Sequence, residues 1–377
     1  MTIVTEQMIS HGHEQVVFVA DAGSGLRAII AIHSTALGPS LGGVRFWHYE
    51  QERDAVLDVL RLSEAMTLKA SISGLHQGGG KAVVLLAAPD APHSASMLRA
   101  LGRAIDELGG RYLAAEDVGA TPGDMEALAL ETPWVTGVDV AAGGSGDPSP
   151  ITAVGVMAAM RAVARALDGG PSIEGYRVAV QGVGHVGRHL VTDLVEAAAE
   201  VVVTDVNRDR AREVAAEHNV EVVEPDAILE APCDVLAPCA LGGVLDADTV
   251  PLLQCRAVCG AANNQLADDG IDDLLVERGI LYAPDFAANA GGIINIAEEF
   301  TGYSLERALE RTARIEDTMT AVFERARAEG RGPGRVAADM ANERIAREGS
   351  GRRWNPGDPT AWTGGEPLRR LRPVADR

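Results

Sequence analysis

The decapeptide VAVQGVGHVG, residues 178–187, constrains this chain more than any other stretch. Gly182, Gly184 and Gly187 fit G-x-G-x-x-G, a spacing that is weak evidence alone. Here an apolar strand, RVAVQ, precedes it, and a helical segment, HVGRHLVTDLVEAAA, follows. A second apolar run, EVVVTD, ends in Asp205, 23 residues past Gly182, where a dinucleotide site carries its ribose-binding acid. Such glycines let backbone amides and a helix N-terminus meet a pyrophosphate. Asp205 would accept hydrogen bonds from the adenosine ribose hydroxyls and repel a 2′-phosphate, so NAD is expected rather than NADP. Arg208 and Arg210 are near enough to weaken that preference. The bland alternative is a glycine-rich turn with no ligand.

The rhythm continues through VEVVE, CDVLAP, AVCGAA and GILYAP, which predicts a parallel, doubly wound sheet. A chain of 377 residues is too long for one typical core, so two domains are expected. The stretch DVAAGGSGDPSP, residues 139–150, is the natural boundary. Before it, QVVFVA and LRAIIAIH flank the turn DAGSG as a β-hairpin. Helical periods follow at Ala55–Lys69 and through Met97, Leu98, Leu101, Ile105 and Leu108. TPGD opens a helix with Thr121 as cap and Pro122 in first position. One long amphipathic helix is expected through Leu305, Leu309, Ile315, Met319, Val322 and Phe323. The division is thus an N-terminal α/β substrate and oligomerisation domain over 1–145, helped by helices at about 331–348, and a Rossmann-type domain over 150–330. Residues 349–377 have little to pack and are expected to be a disordered tail.

Charge narrows the partners. With 33 basic and 54 acidic residues the net charge is −21, which repels nucleic acid and anionic lipid. The start MTIVTEQMISHGHEQ lacks a basic and an apolar signal region, and no apolar run approaches membrane-spanning length. Cys233, Cys239, Cys255 and Cys259 form no CxxC pair and suit a reducing cytoplasm. His11 and His13 form an HxH pair in a mobile terminus, with no carboxylate cluster to complete a metal site. His185 faces solvent. The expectation is a cytoplasmic protein without a metal.

LHQGGGKAVVLLA, residues 75–87, sets Lys81 between three glycines and a buried strand. It is no phosphate loop, because Leu75 and Ala82 stand where glycine and a hydroxyl residue would be needed. Lys81 is placed at a strand's edge. An NAD-binding half implies hydride transfer, so the first half should carry the substrate chemistry. Its candidates are Lys69, Lys81 and Asp117, the last in RYLAAEDVGAT at the end of a strand. Two lysines near one cleft suit a substrate carboxylate, and one depresses the other's pKa. An exposed helix-end lysine, a turn lysine and a capping carboxylate are the ordinary alternatives.

The motifs STALGPSLGGVRF, AMTLK, GGGKAVV, GGRYLAAEDVG, GDPSPITA, APCALGG, GAANNQLA and YAPDFAANAGGIINIAEE occur in order. From about residue 12 to about 345, the chain resembles the glutamate/leucine/phenylalanine/valine amino acid dehydrogenases, most of all those for valine and leucine. The resemblance implies NAD-dependent oxidative deamination of an L-amino acid to a 2-oxo acid and ammonia. It implies that Lys69 pairs with the substrate carboxylate, that Lys81 activates water as general base and acid, and that Asp117 shuttles a proton to the substrate nitrogen. The triple glycine would let substrate and nicotinamide lie against bare backbone. Gly42 and Gly43 would flank the substrate, Thr152 would hold the nicotinamide carboxamide, a plain helix cap being the alternative and compatible with it, and Asn263 would touch cofactor or substrate. Val186, Cys239 and Ala240 would complete the cofactor site, Cys239 as a cleft-lining thiol of low reactivity.

The same resemblance puts Leu41, Ala115, Ile293 and Ile296 around the substrate side chain. None is charged, so a buried glutamate side chain would lack a partner. The two isoleucines should shrink the pocket and favour Val, Leu or Ile over Phe. A phenylalanine dehydrogenase is the alternative within the family. A 2-hydroxy-acid dehydrogenase is more distant, since it would use Arg and His in place of two lysines and an aspartate. A silent NAD-binding regulator should have lost one of those three. The implied assembly is a homo-oligomer whose cleft closes for hydride transfer.

Overall fold

The computed structural model describes residues 3–138, 140 and 144–349, and the chain divides into two compact units. The first takes the chain as far as Asp147, regains it over Asn295–Leu305 and again from Ala341. The second holds Pro148–Ile294 and Glu306–Met340. Part of the expected boundary stretch, residues 139 and 141–143, and the expected tail past Gly349 lie outside the described residues.

In the first unit α1 (Ile3–His11) leads into the antiparallel hairpin of β1 (Gln15–Asp21) and β2 (Leu26–Ser34). Then come β3 (Ser40–Trp47), α2 (Glu52–Ile72), β4 (Gly78–Leu85), α3 (Ala95–Glu107), β5 (Tyr112–Glu116) and α4 (Pro122–Ala129). The sheet runs β1-β2-β4-β3-β5, with β4, β3 and β5 parallel and β4 at its centre. β4 is buried along nearly its whole length and β2 over Ala28–Ile32, so their AVVL and AIIAI stretches read as unbroken apolar runs. α3 buries Met97, Leu98, Leu101 and Ile105 on one face. α4 starts on a capping box of Thr121 and Asp124, with Pro122 first.

Two sequence expectations fail here. The triple glycine is the start of β4 itself, so Lys81 lies inside the central strand and not at its edge. Close packing is the reason. A Cβ on Gly78 would fall 1.8 Å from the Ser34 carbonyl oxygen, and one on Gly79 would fall 2.1 Å from the Thr67 nitrogen. Protein atoms of β2 and α2 fill the space beside those two glycines, leaving no bare backbone there for a ligand. The HxH pair is not mobile either. His13 is buried with Nε2 3.0 Å from both the Leu60 carbonyl and Ser63 Oγ, and its ring meets His33 edge-on at 4.7 Å. His11 pairs with Glu64 of α2 at 3.0 Å.

The second unit opens with α5 (Ser149–Asp168), followed by β6 (Arg177–Gln181), α6 (His185–Glu196), β7 (Glu200–Thr204), α7 (Arg208–His218) and β8 (Glu221–Val222). β9 (Val235–Pro238), β10 (Ala257–Val258), α8 (Gly270–Glu277) and β11 (Leu281–Tyr282) complete its sheet. All six strands are parallel, in the order β11-β10-β9-β6-β7-β8. The order reverses between β6 and β9, and ligands of such sheets bind at the carboxyl ends of the strands at that reversal.

The remaining helices are α9 (Asp285–Ala288), α10 (Gly291–Ala297), α11 (Leu305–Ala313), α12 (Ile315–Glu329) and α13 (Pro333–Glu348). The single long helix of the sequence reading is in fact two, α11 and α12, parted at Arg314. Leu305 and Leu309 are exposed, so the apolar period there does not mark a core face. α5 also corrects the sequence reading, because it is long and apolar enough to cross a membrane. It is instead a core helix, 67% buried over its most apolar window. Asp272 of α8, almost fully buried, accepts the Arg335 N–H at 3.1 Å and so caps the first turn of α13.

Candidate active site

Three neighbouring parallel strands build the charged centre of the first unit. β3 supplies Gly42, Gly43 and Arg45; β4 supplies Lys81; Asp117 follows the last residue of β5. Lys81 Nζ donates to Asp117 Oδ2 at 2.9 Å, and Arg45 Nε donates to the same oxygen at 2.9 Å. Both cations converge on Oδ2, and among the described residues no hydrogen bond or ion pair reaches Oδ1. Gly43 makes the pairing possible, since a Cβ there would sit 2.5 Å from Asp117 Cβ and 3.2 Å from Lys81 Nζ. The Tyr112 hydroxyl donates to the carbonyls of Gly42 and Gly43 at 2.8 and 3.2 Å, pinning that stretch of β3.

Burial raises the Asp117 pKa, but Lys81 and Arg45 outweigh it and hold the carboxyl down at about 2. Burial depresses Lys81, and Arg45 adds to that, while Asp117 opposes it. Asp117 is therefore ionised at neutral pH, and it titrates in close coupling with Lys81. Any proton taken by Asp117 would strip Lys81 of its counter-charge and ease loss of the lysine's own proton.

Lys69 stands half-buried in the last turn of α2, the helix whose Thr67 abuts Gly79. Leu41 and Ala115 are buried on β3 and β5, in the strands that carry Gly43 and precede Asp117. Ile293 and Ile296 lie three apart on α10, on one helix face, the first buried and the second half-buried.

In the second unit the glycine loop joins β6 to α6 at the reversal of strand order. Gly182 takes φ +99°, a turn closed to ordinary side chains. A Cβ on Gly187 would collide with the Gly182 carbonyl oxygen at 2.0 Å, whereas the space around Gly184 is open within 4 Å. The first turn of α6, which includes the half-buried Val186, has no side-chain cap. That open glycine and uncapped helix start fit a pyrophosphate. Asp205 is nearly buried; Oδ2 accepts the Val183 N–H at 3.0 Å and Oδ1 the Asn207 N–H at 2.8 Å. It shapes the loop as well as offering remaining lone pairs to a ribose. Arg210 approaches Oδ2 at 3.5 Å.

Cys239 and Ala240 follow β9 at the same reversal, and burial pushes the Cys239 thiol up to about 12, in keeping with low reactivity. Thr152 is not the cap of α5. It lies a turn inside, donating its hydroxyl to the Pro148 carbonyl at 2.9 Å. Asn289 donates to Asn263 Oδ1 at 2.9 Å, fixing which way that amide faces. His185 is exposed, as expected.

Sequence reasoning missed Arg45, and with it Asp58 and Tyr49. The signal was present in GGVRF, because Gly43 and Arg45 share a face by the two-residue period of a strand. It also missed Val206 and Leu241, among the most exposed large apolar residues described, near the carboxyl ends of β7 and β9. Among the described residues no group of three or more His, Cys, Asp or Glu side chains could hold a metal ion.

Known family models match most of this chain, from residue 13 to residue 348. The model of the Glu/Leu/Phe/Val dehydrogenase dimerisation domain covers residues 13–134. That of the glutamate/leucine/phenylalanine/valine dehydrogenases covers 143–207 and 203–348. The chain belongs to this family. A leucine dehydrogenase of Thermoactinomyces intermedius is 47% identical over 91% of this chain and 93% of its own length. A valine dehydrogenase of Streptomyces virginiae is 47% identical over 89% of this chain and 94% of its own. Among solved structures, the L-tryptophan dehydrogenase of Nostoc punctiforme superposes with a TM-score of 0.80 at 39% identity, covering 91% of this dehydrogenase and 99% of that chain.

Proposed function

We propose that this dehydrogenase catalyses the reversible, NAD-dependent oxidative deamination of a branched-chain L-amino acid (Val, Leu or Ile) to the 2-oxo acid and ammonia. The observation that carries this reading is the Lys81–Asp117 pair at 2.9 Å, the lysine buried and the aspartate half-buried, with Asp117 Oδ2 doubly engaged by cations. It is an acid–base couple of the kind deamination needs, in a chain of near-half identity to leucine and valine dehydrogenases.

Lys69 holds the substrate carboxylate by charge, beside the backbone of Gly42 and Gly43. Asp117, ionised, takes the proton of the substrate nitrogen on Oδ1. Lys81, eased by that protonation, gives up its own proton to solvent, the one net proton of the reaction, and as a neutral amine takes a proton from the water that adds to the iminium carbon. The later proton transfers return through the same two groups as ammonia leaves. Bound NAD would supply the hydride acceptor for the substrate Cα. Gly182, Gly184, Val186, Gly187, Cys239 and Ala240 would hold it at the loop, Asp205 at the ribose, and Thr152 and Asn263 toward the nicotinamide. Val206 and Leu241 offer apolar surface for the adenine.

Leu41, Ala115, Ile293 and Ile296 would line the side-chain pocket, which has no charge to receive a glutamate. Discrimination between neighbouring aliphatic side chains is worth only about 1–3 kcal/mol per methylene, so overlapping activities are expected. We place the enzyme in the cytoplasm, where its four free thiols stay reduced. We assign it a homo-oligomeric state through the first unit, whose family model describes a dimerisation domain.

The test is NADH formation from a panel of L-amino acids, with NAD and NADP in parallel. Valine, leucine and isoleucine with NAD should give the highest kcat/KM. A higher value for phenylalanine, tryptophan or glutamate would overturn the substrate assignment, and faster turnover with NADP would overturn the cofactor.

A further inference from the structure

Arg45 is the described cation nearest the acid–base pair that the reaction above leaves without a role. Its Nε donates to Asp117 at 2.9 Å and its Nη1 to Asp58 of α2 at 2.9 Å. Asp58 Oδ2 also accepts the Tyr49 hydroxyl at 2.7 Å, and its Oδ1 meets Arg61 at 3.3 Å. The side chains of Arg45 and Asp58 are only 20% and 16% exposed, so solvent screens this chain of charges weakly.

We propose that Arg45 is a positioning residue for deamination: anchored by Asp58, it occupies Asp117 Oδ2 together with Lys81, and so commits Oδ1 to the substrate nitrogen and keeps the carboxylate ionised. The inference rests on the function proposed above. A carboxylate held by one ammonium could turn about its Cβ–Cγ bond and exchange oxygens. Two donors from two strands, meeting on one oxygen, remove that freedom. A guanidinium suits the task because its planar fork reaches two carboxylates at once, which a single ammonium does less well. The groups facing Asp117 are Lys81 from β4, Arg45 from β3 and the Tyr112 hydroxyl from β5. Behind Arg45 stand Asp58 from α2 and Tyr49 from the segment after β3. With Arg45 neutralised, Lys81 alone would oppose protonation of Asp117.

The experiment is the pH dependence of kcat and kcat/KM for full-length wild type, Arg45→Gln and Arg45→Lys with the best L-amino acid, beside thermal melting by circular dichroism. Arg45→Gln should raise the acid limb of kcat/KM by about one pH unit or more, because Lys81, which must be neutral to activate water, loses a neighbouring positive charge that helps depress it. Its kcat should fall about tenfold or more, with a smaller change in KM. Arg45→Lys keeps the charge without the fork, so its acid limb should move less while kcat still falls about tenfold. A merely structural arginine would lower the melting temperature and leave the acid limb in place. A folded Arg45→Gln with the wild-type acid limb would overturn the proposal, as would Arg45→Lys with wild-type kcat. If Arg45→Gln does not fold, Arg45→Lys decides alone by that kcat. A wild type that turns over no L-amino acid overturns the proposed function and this inference with it. An active wild type with indistinguishable variants overturns this inference only.

Discussion

Gly43 has no room for a methyl group on the side that faces the acid–base pair. In Gly43→Ala the new Cβ would overlap Asp117 Cβ at 2.5 Å and the Glu116 carbonyl at 2.9 Å, so β3 and the turn after β5 must part. A misplacement of about 1 Å at reacting groups can cost about 10²-fold, and that loss is expected in kcat. Steady-state kinetics beside a melting curve check it; wild-type kcat would show that the site absorbs the methyl. Asp205→Ser tests the other unit. It should narrow the ratio of kcat/KM between NAD and NADP, and it should lower the melting temperature because the Val183 and Asn207 amides lose a strong acceptor. An unchanged ratio would place the ribose contact elsewhere. Lys81, Asp117 and the glycine loop stood out in the sequence because their neighbours are peculiar. Arg45 did not, because a strand arginine means something only once the strand beside it is known.

At the scale of elements, parallel strands were legible as apolar runs because both their faces are buried, and the caps of α4 were legible as TPGD. What escaped were features made by partners distant in sequence. The start of β4 looked like a loop until Ser34 and Thr67 were seen against its glycines. Asp272 gave no sign that it caps a helix 61 residues further on. Replacing it with Ala should destabilise the protein by about 1–2 kcal/mol, the range for a lost N-cap, and a melting curve at fixed pH measures it. A variant as stable as the parent would leave α13 held by its packing alone. The histidines at the start of the chain make a second test. Burial, followed by the neighbouring His33, lowers His13 to about 4 from an ordinary value of 6.5. Its neutral form is thus favoured by the fold, and the full stability is present above pH 6.5. As pH falls from 6.5 toward 4 the unfolded chain gains a proton that the folded one refuses, eroding up to about 3 kcal/mol. Denaturant titrations of the wild type and His13→Gln across that window should diverge in slope; parallel curves would remove His13 as the cause.

At the scale of the molecule, the order of the chain and the order of its units disagree. The second unit is complete once Met340 has been made, whereas the first, begun at the N-terminus, is completed only from Ala341 onward. Those last residues are not ornamental. The Ser71 hydroxyl donates to the Ala341 carbonyl at 2.7 Å, and Arg344 donates to the carbonyls of Ser71 and Leu75 at 2.8 and 2.9 Å. On the ribosome, therefore, the half that is translated first should be the half that matures last, spending the interval with the carboxyl end of α2 unclasped and within reach of chaperones. A chain ended after Met340 would mimic that nascent state. Hydrogen–deuterium exchange should find the amides of β2, β3 and β4 less protected than in the full chain, and those of β6, β7 and β9 unaltered. Equal protection in both units would mean that the N-terminal half needs nothing from the end of the message to reach its final form.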